Sequence, residues 1–411
     1  MLLIDLFVIS CIAGTCLLAG YCAVVYPALL ALAARSRRRP WVQQPIQPRV
    51  TVIIPARNEA AVIARKLDNL LAADYPADLF EVLVASDCST DDTDAIVGSY
   101  APRVRLIRAA TRSGKQVCLN LAAAQACGEV LLFTDAASFL APNAISLLVR
   151  HFADPSIGAV SSAIRVREPD SSAFGSSAGS ETTTASGTRE RVKTEGEGLY
   201  LGADCAVRVR EGEISSIVGC VGACYAMRKA CFSPFDPGDC DDFASVYNVV
   251  ACRQRAVMDP EVICEMLPAR NGKIELARKV RTIAGALDTL WRYRRRILKF
   301  APPALLWFLF SHKVCRWLLP LSVLLSATAV TLGAFCGHWM WQAPFGAGLC
   351  VAAVGLAAQQ SAGFVRQFRV LKPLAFLTIS LSAGVVAWIT VLSGKKQVVW
   401  QPTPRTVAKT C

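Results

Sequence analysis

Short apolar segments alternate with helical patterns between residues 50 and 166. The apolar runs with the length of buried strands are residues 50–55, 82–85, 104–107, 130–133 and 157–166. The segments between them that predict helices are residues 59–72, 93–100, 115–126 and 142–152. Strands that alternate with helices predict an α/β fold whose sheet is mainly parallel and has right-handed crossovers.

Three of these strands run directly into polar turns. Residues 50–55 are followed by Arg57 and Glu59, residues 82–85 by a turn that contains Asp87, and residues 130–133 by Thr134 and Asp135. Ligands bind at the carboxyl edge of an open α/β sheet, so these side chains are expected to share one site. The glycine fingerprint of a dinucleotide site does not accompany them, so the layout predicts a nucleotide site of another kind.

The two ends of the chain are strongly apolar. Residues 6–32 and three later runs, 317–335, 345–364 and 371–392, are long enough to cross a hydrocarbon core of ~30 Å. Arginines in residues 35–39 follow the first run, so the positive-inside rule places the middle of the chain in the cytoplasm. A cleaved signal peptide is the alternative, although no A-x-A-type cleavage site follows the run.

Three C-terminal spans conflict with the same rule. They would leave Lys395, Lys396 and Arg405 outside the cell, whereas basic residues favour the cytoplasm. A re-entrant run, or insertion of residues 302–310 into the membrane, would remove the conflict, and the sequence leaves this open.

These patterns divide the chain into six segments. They are a transmembrane helix (1–34), a basic linker (35–48), an α/β domain (49–267), interfacial amphipathic helices (268–313), C-terminal transmembrane helices (314–394) and a tail (395–411). Residues 169–198 are rich in Ser, Gly and Thr and predict a mobile insertion, either a lid or a passive linker. In residues 274–298, Ile283, Leu287, Leu290 and Ile297 share a helical face, which predicts a helix lying in the membrane interface.

Charge and cysteine content narrow the class of protein. The net charge is +13, and much of the excess lies beside apolar segments, which favours anionic lipid headgroups over nucleic acid as a partner. The chain has 17 cysteines without a C-x-x-C pair and only 3 histidines, so a zinc site is not indicated. In a reducing cytoplasm the cysteines are expected to be small buried apolar residues.

Nine ordered motifs carry a specific resemblance to a known family. They read VTVIIPARNE, SDCSTDDT, RSGKQVCLN, FTDAAS, FADPSIGAVSS, GACYAMR, CDDF, RKVR and SHKVCRW. Over residues 51 to about 317 the chain resembles a membrane-bound family 2 glycosyltransferase of the bacterial polysaccharide-synthase type. The resemblance implies a Rossmann-like GT-A domain flanked by transmembrane helices. It also implies a multi-pass protein of the inner cell membrane whose catalytic domain is cytoplasmic.

The resemblance implies which residues bind the nucleotide-sugar donor. Pro55, Ala56, Arg57 and Glu59 would cradle the nucleoside, although Asn58 could simply cap a helix there. Asp87 would bind uracil, and an Asx turn is its alternative role.

A lysine and an acid would hold the donor's diphosphate. Lys115 would meet it at a helix N-terminus, or be merely solvated. Asp135 would hold a divalent ion, Mg²⁺ or Mn²⁺, together with the diphosphate. Ala137 stands where the family's Asp-x-Asp motif has its second acid, and this puts the metal and the activity in doubt.

The resemblance also assigns the acceptor side. Asp242, next to Asp241, would be the base that deprotonates the acceptor hydroxyl, or both would be helix-capping acids. Gly222 and Ala223 would leave room for the acceptor sugar, or form a tight turn.

A basic element at the predicted membrane interface completes the implied site. Arg278 and Arg281 would contact the diphosphate, or lie at lipid headgroups. Thr282 replaces the tryptophan that processive synthases have after the second arginine.

The expected function is inverting transfer from a UDP-sugar to a polysaccharide or lipid-linked acceptor at the cytoplasmic membrane face. Membrane lipids are an expected partner and nucleic acid is not. A non-processive polyprenyl-phosphate or lipid glycosyltransferase, and a catalytically silent subunit that binds nucleotide, remain as alternatives.

Overall fold

The computed structural model describes residues 2–166, 197–266, 272–360 and 371–394 of the 411-residue chain. Its centre is an eight-stranded sheet in the order β3-β2-β1-β4-β7-β6-β8-β5. The strands are β1 (Val50–Ala56), β2 (Phe80–Ser86), β3 (Val104–Arg108), β4 (Val130–Thr134), β5 (Ser138–Leu140), β6 (Ile157–Val166), β7 (Cys224–Arg228) and β8 (Arg255–Met266). Each predicted strand is present, and its bounds differ from the prediction by at most two residues.

The sheet is parallel in one half and mixed in the other. Strands β3, β2, β1 and β4 pair in parallel, and β6 pairs in parallel with β8. Strand β7 is antiparallel to both β4 and β6, and β5 is antiparallel to β8. The prediction of a mainly parallel sheet is therefore confirmed for the first half only. Because β6 and β7 are antiparallel, they do not form a βαβ unit, whose strands are parallel.

Helices of the domain cover the sheet. They are α3 (Ile63–Leu71), α4 (Thr93–Gly98), α5 (Lys115–Gln125), α6 (Ala144–Val149), α7 (Glu197–Ile214) and α8 (Asp241–Ala251). All four predicted helices of this region are shorter than expected, and the largest differences are at residues 59–72 and 142–152. Residues 142–152 contain α6 and then a 3₁₀ turn, Arg150–Ala153.

The helix predicted from residue 59 begins four residues later, because the chain first forms a turn. Asn58 has a left-handed φ of 51°, and the backbone N–H of Glu59 donates to Thr93 Oγ1 over 2.8 Å. The N–H of Ala60 donates to Asp91 Oδ2 over 3.1 Å. These bonds fix the turn after β1 against the turn after β2. The alternative in which Asn58 caps the helix is therefore wrong.

Further helices lie on both sides of the domain along the chain. At the N-terminus they are α1 (Leu2–Gly20) and α2 (Tyr26–Arg37), joined by the π-helical turn Tyr21–Val25. After the domain come α9 (Gly272–Phe300), α10 (Pro303–Phe308), a π-helical turn (Leu309–Val314), α11 (Cys315–Phe335), α12 (Gln342–Gln360) and α13 (Leu371–Leu392).

Two continuous helical stretches are long and apolar enough to span a membrane within the described ranges. They are Leu2–Arg37 and Pro303–Phe335. The other two predicted spans coincide with α12 and α13. Residues 361–370 and 395–411, on which the predicted topology of the C-terminus also depends, lie outside the described residues.

The apolar stripe of α9 packs against protein, contrary to the prediction of a stripe facing lipid. Ile297 is buried in the main core, and Ile283, Leu287 and Leu290 pack against it. The same spacing fits a membrane surface or a neighbouring helix, and α9 has neighbours in α8 and α13. Trp291 remains exposed.

The insertion predicted at 169–198 lies outside the described residues, except for residues 197 and 198, which begin α7. The cysteines are unpaired throughout the described ranges. Cys118, Cys220, Cys224 and Cys264 are buried as expected. Others are exposed, including Cys127 on the surface after α5, so the expectation of burial holds for only part of the set.

Candidate functional site

The loop before β7 lies beside Asp135 because β7 runs antiparallel to β4. In that arrangement the first residue of β7, Cys224, pairs with Thr134 at the end of β4. The loop before β7 therefore reaches the carboxyl edge of the sheet, where Asp135 follows β4. The backbone N–H of Asp135 and the hydroxyl of Thr134 both donate to the carbonyl of Ala223, over 3.3 and 3.0 Å.

Lys115 lies between two carboxylates from different elements. Its Nζ is 3.3 Å from Asp135 Oδ1 and 3.1 Å from Asp241 Oδ1. Asp241 is the first residue of α8, and its side chain is 9% exposed, whereas that of Asp135 is 34% exposed. One ammonium thus joins the end of β4, the start of α5 and the start of α8.

Charge compensation sets the protonation of this cluster. Burial alone would lower the pKa of Lys115, but the carboxylates of Asp135 and Asp241, with Asp242 beyond, outweigh it and raise that pKa. Burial raises the pKa of Asp241, and the nearby Asp242 and Asp135 add to the rise, while Lys115 opposes it. The lysine therefore stays charged, and its charge allows the acids to lie close together.

Asp242 is the more accessible acid of the pair at the start of α8. Its Oδ1 accepts hydrogen bonds from the Cys240 thiol over 2.9 Å and from the Phe243 N–H over 3.0 Å. A Cβ at Gly222 would lie 3.5 Å from Asp242 Oδ2. The loop residue next to this oxygen is therefore a glycine, which adds no side chain there. The predicted base and the predicted acceptor loop are therefore neighbours.

Asp87 holds the loop that presents Lys115. Its Oδ1 accepts from the N–H of Ser113 over 2.7 Å and of Gly114 over 3.1 Å. Gly114 has φ 93°, a conformation that favours glycine, and α5 begins at the next residue. The other oxygen, Asp87 Oδ2, is buried and has no hydrogen-bond partner in the part of the chain that the structure describes.

The four residues predicted to cradle a nucleoside lie at the end of β1. Pro55 and Ala56 are buried in the strand, and the Ala56 carbonyl accepts from the Asp87 N–H over 2.9 Å. Arg57 Nη1 donates to the carbonyls of Asp87 and Cys88. Glu59 is half-buried in the following turn. The structure thus brings these residues to the turn that contains Asp87.

The two arginines predicted at the diphosphate lie on α9. Arg278 donates from Nε and Nη2 to the Glu275 carboxylate of the same helix, over 2.9 and 2.6 Å. Arg281 is half-buried on the same helix, and Thr282 Oγ1 donates to the Arg278 carbonyl over 3.0 Å. Their role toward a diphosphate stays a prediction.

Sequence comparison assigns the first part of this domain to a family. Residues 51–211 match the family model described as glycosyl transferase family 2. These residues form a family 2 glycosyltransferase domain. The matched range contains β1, β2, β4, Asp87, Lys115 and Asp135, and it ends before Asp241.

Curated relatives of the glycosyltransferase domain match over short ranges. A beta-monoglucosyldiacylglycerol synthase of Synechocystis sp. is 34% identical over 118 residues, which are 28% of this chain and 25% of that protein. The poly(ribitol-phosphate) beta-N-acetylglucosaminyltransferase TarS of Staphylococcus aureus is 38% identical over 93 residues, 22% of this chain and 16% of that protein. The chain therefore spans a quarter or less of the length of these two relatives.

A solved structure shares the fold over nearly the whole chain. It is the mannosyltransferase PcManGT from Pyrobaculum calidifontis in complex with GDP-Man and Mn²⁺. The TM-score is 0.71 at 24% identity, and the match covers 95% of this chain and 99% of that one. The domain thus has a GT-A-type fold, as the resemblance implies, and the structural match extends over the flanking helices.

The end of β4 offers one partly exposed side-chain carboxylate for a divalent ion. Asp135 is that carboxylate, whereas Ala137 is buried and has no oxygen to contribute. No group of three or more His, Cys, Asp or Glu residues that could hold a metal occurs within the described ranges. Mg²⁺ commonly binds one or two carboxylates together with substrate phosphates and water. The residues present therefore fit an ion that arrives with a diphosphate, and not one held by protein ligands alone.

A buried lysine beneath Asp135 was not predicted. Lys66 on α3 is fully buried, and its Nζ donates to Thr134 Oγ1 over 2.9 Å and to the Ser138 carbonyl. It supports the turn that carries Asp135 from below. The sequence does indicate that Lys66 is buried, because it shares the apolar face of α3 with Ile63, Leu67 and Leu70.

We expect Lys66 to give the folded protein a distinctive pH dependence. Burial lowers its pKa from 10.5 to about 8. Between these values the unfolded chain holds the proton and the folded chain releases it, so stability rises with pH across this window. The Lys66→Met variant should lack this rise, and the stability difference between the two proteins should change by up to about 3 kcal/mol.

The measurement is the unfolding midpoint of both proteins between about pH 7.5 and 10.5, converted to free energy. Lys273→Met, which removes an exposed lysine, is the control and should keep the wild-type profile. Parallel profiles for Lys66→Met and the wild type would contradict the prediction.

Proposed function

We propose that the chain is an inverting glycosyltransferase that uses a nucleotide-sugar, with a UDP-sugar as the first choice. Its acceptor would be a polysaccharide or a lipid-linked sugar at the cytoplasmic face of the inner membrane. The observation that carries the proposal is the ammonium of Lys115 between Asp135 and Asp241, with Asp242 and the open Gly222 loop alongside.

Asp242 is the proposed base. As the acceptor oxygen attacks the anomeric carbon, the Asp242 carboxylate accepts the hydroxyl proton, and the bond from that carbon to the diphosphate breaks. The electron pair leaves with the diphosphate, so one displacement inverts the anomeric centre. A single well-placed carboxylate contributes roughly 10²–10⁴-fold to such a step.

Lys115 is the proposed partner of the leaving diphosphate. An ammonium has three N–H donors, and two of them face Asp135 and Asp241. The third remains for a phosphate oxygen. The raised pKa of Lys115, to which Asp135 and Asp241 contribute against the effect of burial, keeps this group charged. A divalent ion held by Asp135 and the diphosphate would neutralise further charge on the leaving group.

Asp87 is proposed to organise the nucleoside side. It is positioned by the turn after β2 and fixes the loop before Lys115. Its partnerless buried oxygen, Oδ2, supports a hydrogen bond to a donor group of the base. Pro55, Ala56, Arg57 and Glu59 flank this position.

Transfer of a single sugar to a lipid-linked acceptor is the second candidate. Thr282 is exposed on α9 where processive synthases have a tryptophan, so no aromatic ring is available there to stack on a growing polymer. The name of one relative contains a diacylglycerol glycolipid and that of another a ribitol-phosphate polymer, so the relatives support both acceptor classes.

A membrane location is proposed on the two candidate spans, Leu2–Arg37 and Pro303–Phe335. Exposed leucines such as Leu3 and Leu17 on α1 favour contact with lipid. The arginines at the end of α2 favour a cytoplasmic glycosyltransferase domain and a multi-pass topology.

The direct test is incubation of purified membranes with a panel of radiolabelled UDP- and GDP-sugars and Mg²⁺ or Mn²⁺. Long polymer supports the leading proposal, and a one-sugar lipid supports the second candidate. No turnover with intact nucleotide binding would contradict both and indicate a silent subunit.

Replacement of the proposed base should separate chemistry from binding. Asp242→Asn is expected to lower transfer by at least about 10²-fold, because the amide cannot accept the proton, while nucleotide affinity stays within twofold. The measurements are transfer of label and calorimetry with UDP. Asp236→Asn, which alters an exposed acid in the preceding loop, is the matched control. Normal turnover of Asp242→Asn would remove Asp242 from this role.

Loss of the Asp87 carboxylate should weaken nucleotide binding. Asp87→Ala removes the acceptor for the Ser113 and Gly114 amides, so the loop before Lys115 loses its anchor. We expect UDP affinity to fall by about tenfold or more, in line with the loss of charged hydrogen bonds. Calorimetry measures this, with the exposed Asp78→Asn as control. Unchanged affinity would place the nucleotide away from Asp87.

A further inference from the structure

A buried ion network joins the helices at the two ends of the chain to the domain. His312, in the π-helical turn before α11, is fully buried. Its Nδ1 lies 2.6 Å from Glu211 Oε1, and its Nε2 lies 2.8 Å from Asp204 Oδ1. The Tyr26 hydroxyl of α2 donates to the same Glu211 oxygen over 2.7 Å. The network thus links α2, α7 and the turn that contains the SHKVCRW motif.

Arg208 extends this network toward the proposed site. Its Nε donates to Asp204 Oδ2 over 2.7 Å. Its Nη1 donates to the carbonyls of Gly219 and Cys220 over 2.5 and 3.1 Å. One guanidinium therefore holds the carboxylate that His312 contacts and, at its other end, the loop that precedes β7.

The loop held by Arg208 lies against the start of α8. The Cys220 N–H donates to the backbone carbonyl of Asp242 over 3.1 Å. A Cβ at Gly219 would lie 2.7 Å from the Phe243 ring, and Gly222 faces the Asp242 carboxylate. A shift of this loop would therefore change both the space beside Asp242 and the backbone that carries it.

Asp204 is held by charged or polar partners on two sides within this network. Both ring nitrogens of His312 lie within hydrogen-bond distance of carboxylate oxygens. Burial would raise the pKa of Asp204, but Arg208 and His312 outweigh it and hold that pKa well below its usual range. Removal of one partner from a buried ion network leaves the other charged groups uncompensated, so the contacts among Asp204, Arg208 and His312 favour one arrangement.

We propose that Arg208, held by Asp204, which His312 contacts in turn, is a positioning residue that fixes loop 219–222 against Asp242. This rests on the proposed function, in which that loop borders the acceptor. Arg208 need not touch the acceptor, and it acts through the carbonyls of Gly219 and Cys220. These contacts give the SHKVCRW motif a role. Through Asp204 and Arg208, His312 of this motif would position the loop on the acceptor side of the site.

The Arg208→Lys variant tests this positioning role directly. Lysine keeps the charge beside Asp204 but lacks the planar fork that reaches the carboxylate and two carbonyls together. We expect kcat for transfer to fall about 10–100-fold, while the dissociation constant for UDP stays within twofold. Hydrogen exchange at the Cys220 amide should become at least about tenfold faster, because its bond to the Asp242 carbonyl is no longer held.

The matched control is Arg150→Lys. Arg150 also pairs with a buried carboxylate, Asp259, with Nη2 2.8 Å from Oδ2, but it joins the 3₁₀ turn after α6 to β8. This variant should keep both the kcat and the Cys220 exchange rate. As a second readout, added guanidinium should restore transfer by Arg208→Ala, as expected for a local gap and not for a global loss of structure.

The outcomes separate this proposal from the proposed function. Unchanged exchange at Cys220 in Arg208→Lys overturns the positioning role, whatever the activity. A fall in kcat that is matched by equal losses of UDP affinity and unfolding temperature, with no rescue by guanidinium, also overturns it. If the wild-type protein transfers no sugar, the proposed function fails, and the exchange rate alone decides whether Arg208 positions the loop.

Discussion

A lysine ammonium between two carboxylates is the interaction on which the candidate site depends. Asp135, Asp241 and Asp242 approach one another at the edge of the sheet, and like charges in a partly buried space repel strongly. Lys115 offsets this repulsion by contacting two of the three. The same contacts join α5, α8 and the end of β4. The charge of Lys115 therefore affects both the repulsion between the acids and the packing of these three elements.

The topology supplies the rest of the geometry. The parallel half of the sheet brings the turns after β1 and β2 together, where Arg57 and Asp87 meet. The antiparallel strand β7 brings the Gly222 loop to the same edge from the opposite direction. In the proposed function, one half of the sheet provides the surface for the nucleotide, and the other half provides the Gly222 loop beside Asp242. Both are required for a donor and an acceptor to meet.

The predictions from sequence succeeded where a local pattern determines the structure. Apolar runs located the strands of the parallel half, and the polar residues that follow them lie at the sheet edge as expected. Strand direction in the mixed half could not be predicted, because the hydrophobic period of a strand is the same in parallel and antiparallel ladders. The sequence could not show whether the apolar stripe on α9 faces lipid or protein, because a core-facing and a membrane-facing stripe have the same spacing.

Long-range side-chain contacts could not be predicted either, because a local pattern does not indicate a distant partner. His312 and Asp204 are separated by 108 residues, and nothing in the periodicity around either residue indicates the other. Lys66 is different, since a lysine on an otherwise apolar helical face is a local signal of burial. The resemblance to the family implies roles for Asp135 and Asp242, and for Lys115 it leaves a diphosphate partner or solvent. The contacts of Lys115 with both Asp135 and Asp241 depend on the folded chain and are not indicated by the sequence.

The most direct measurement is an experimental structure of the chain with UDP and Mn²⁺ bound. The diphosphate is expected within hydrogen-bond distance of Lys115 Nζ, on the side of the cluster where Asp135 is accessible, with the Asp242 carboxylate facing the space left for the sugar. A nucleotide bound away from Lys115, or acids at 135, 241 and 242 that open into separate cavities, would contradict a shared site.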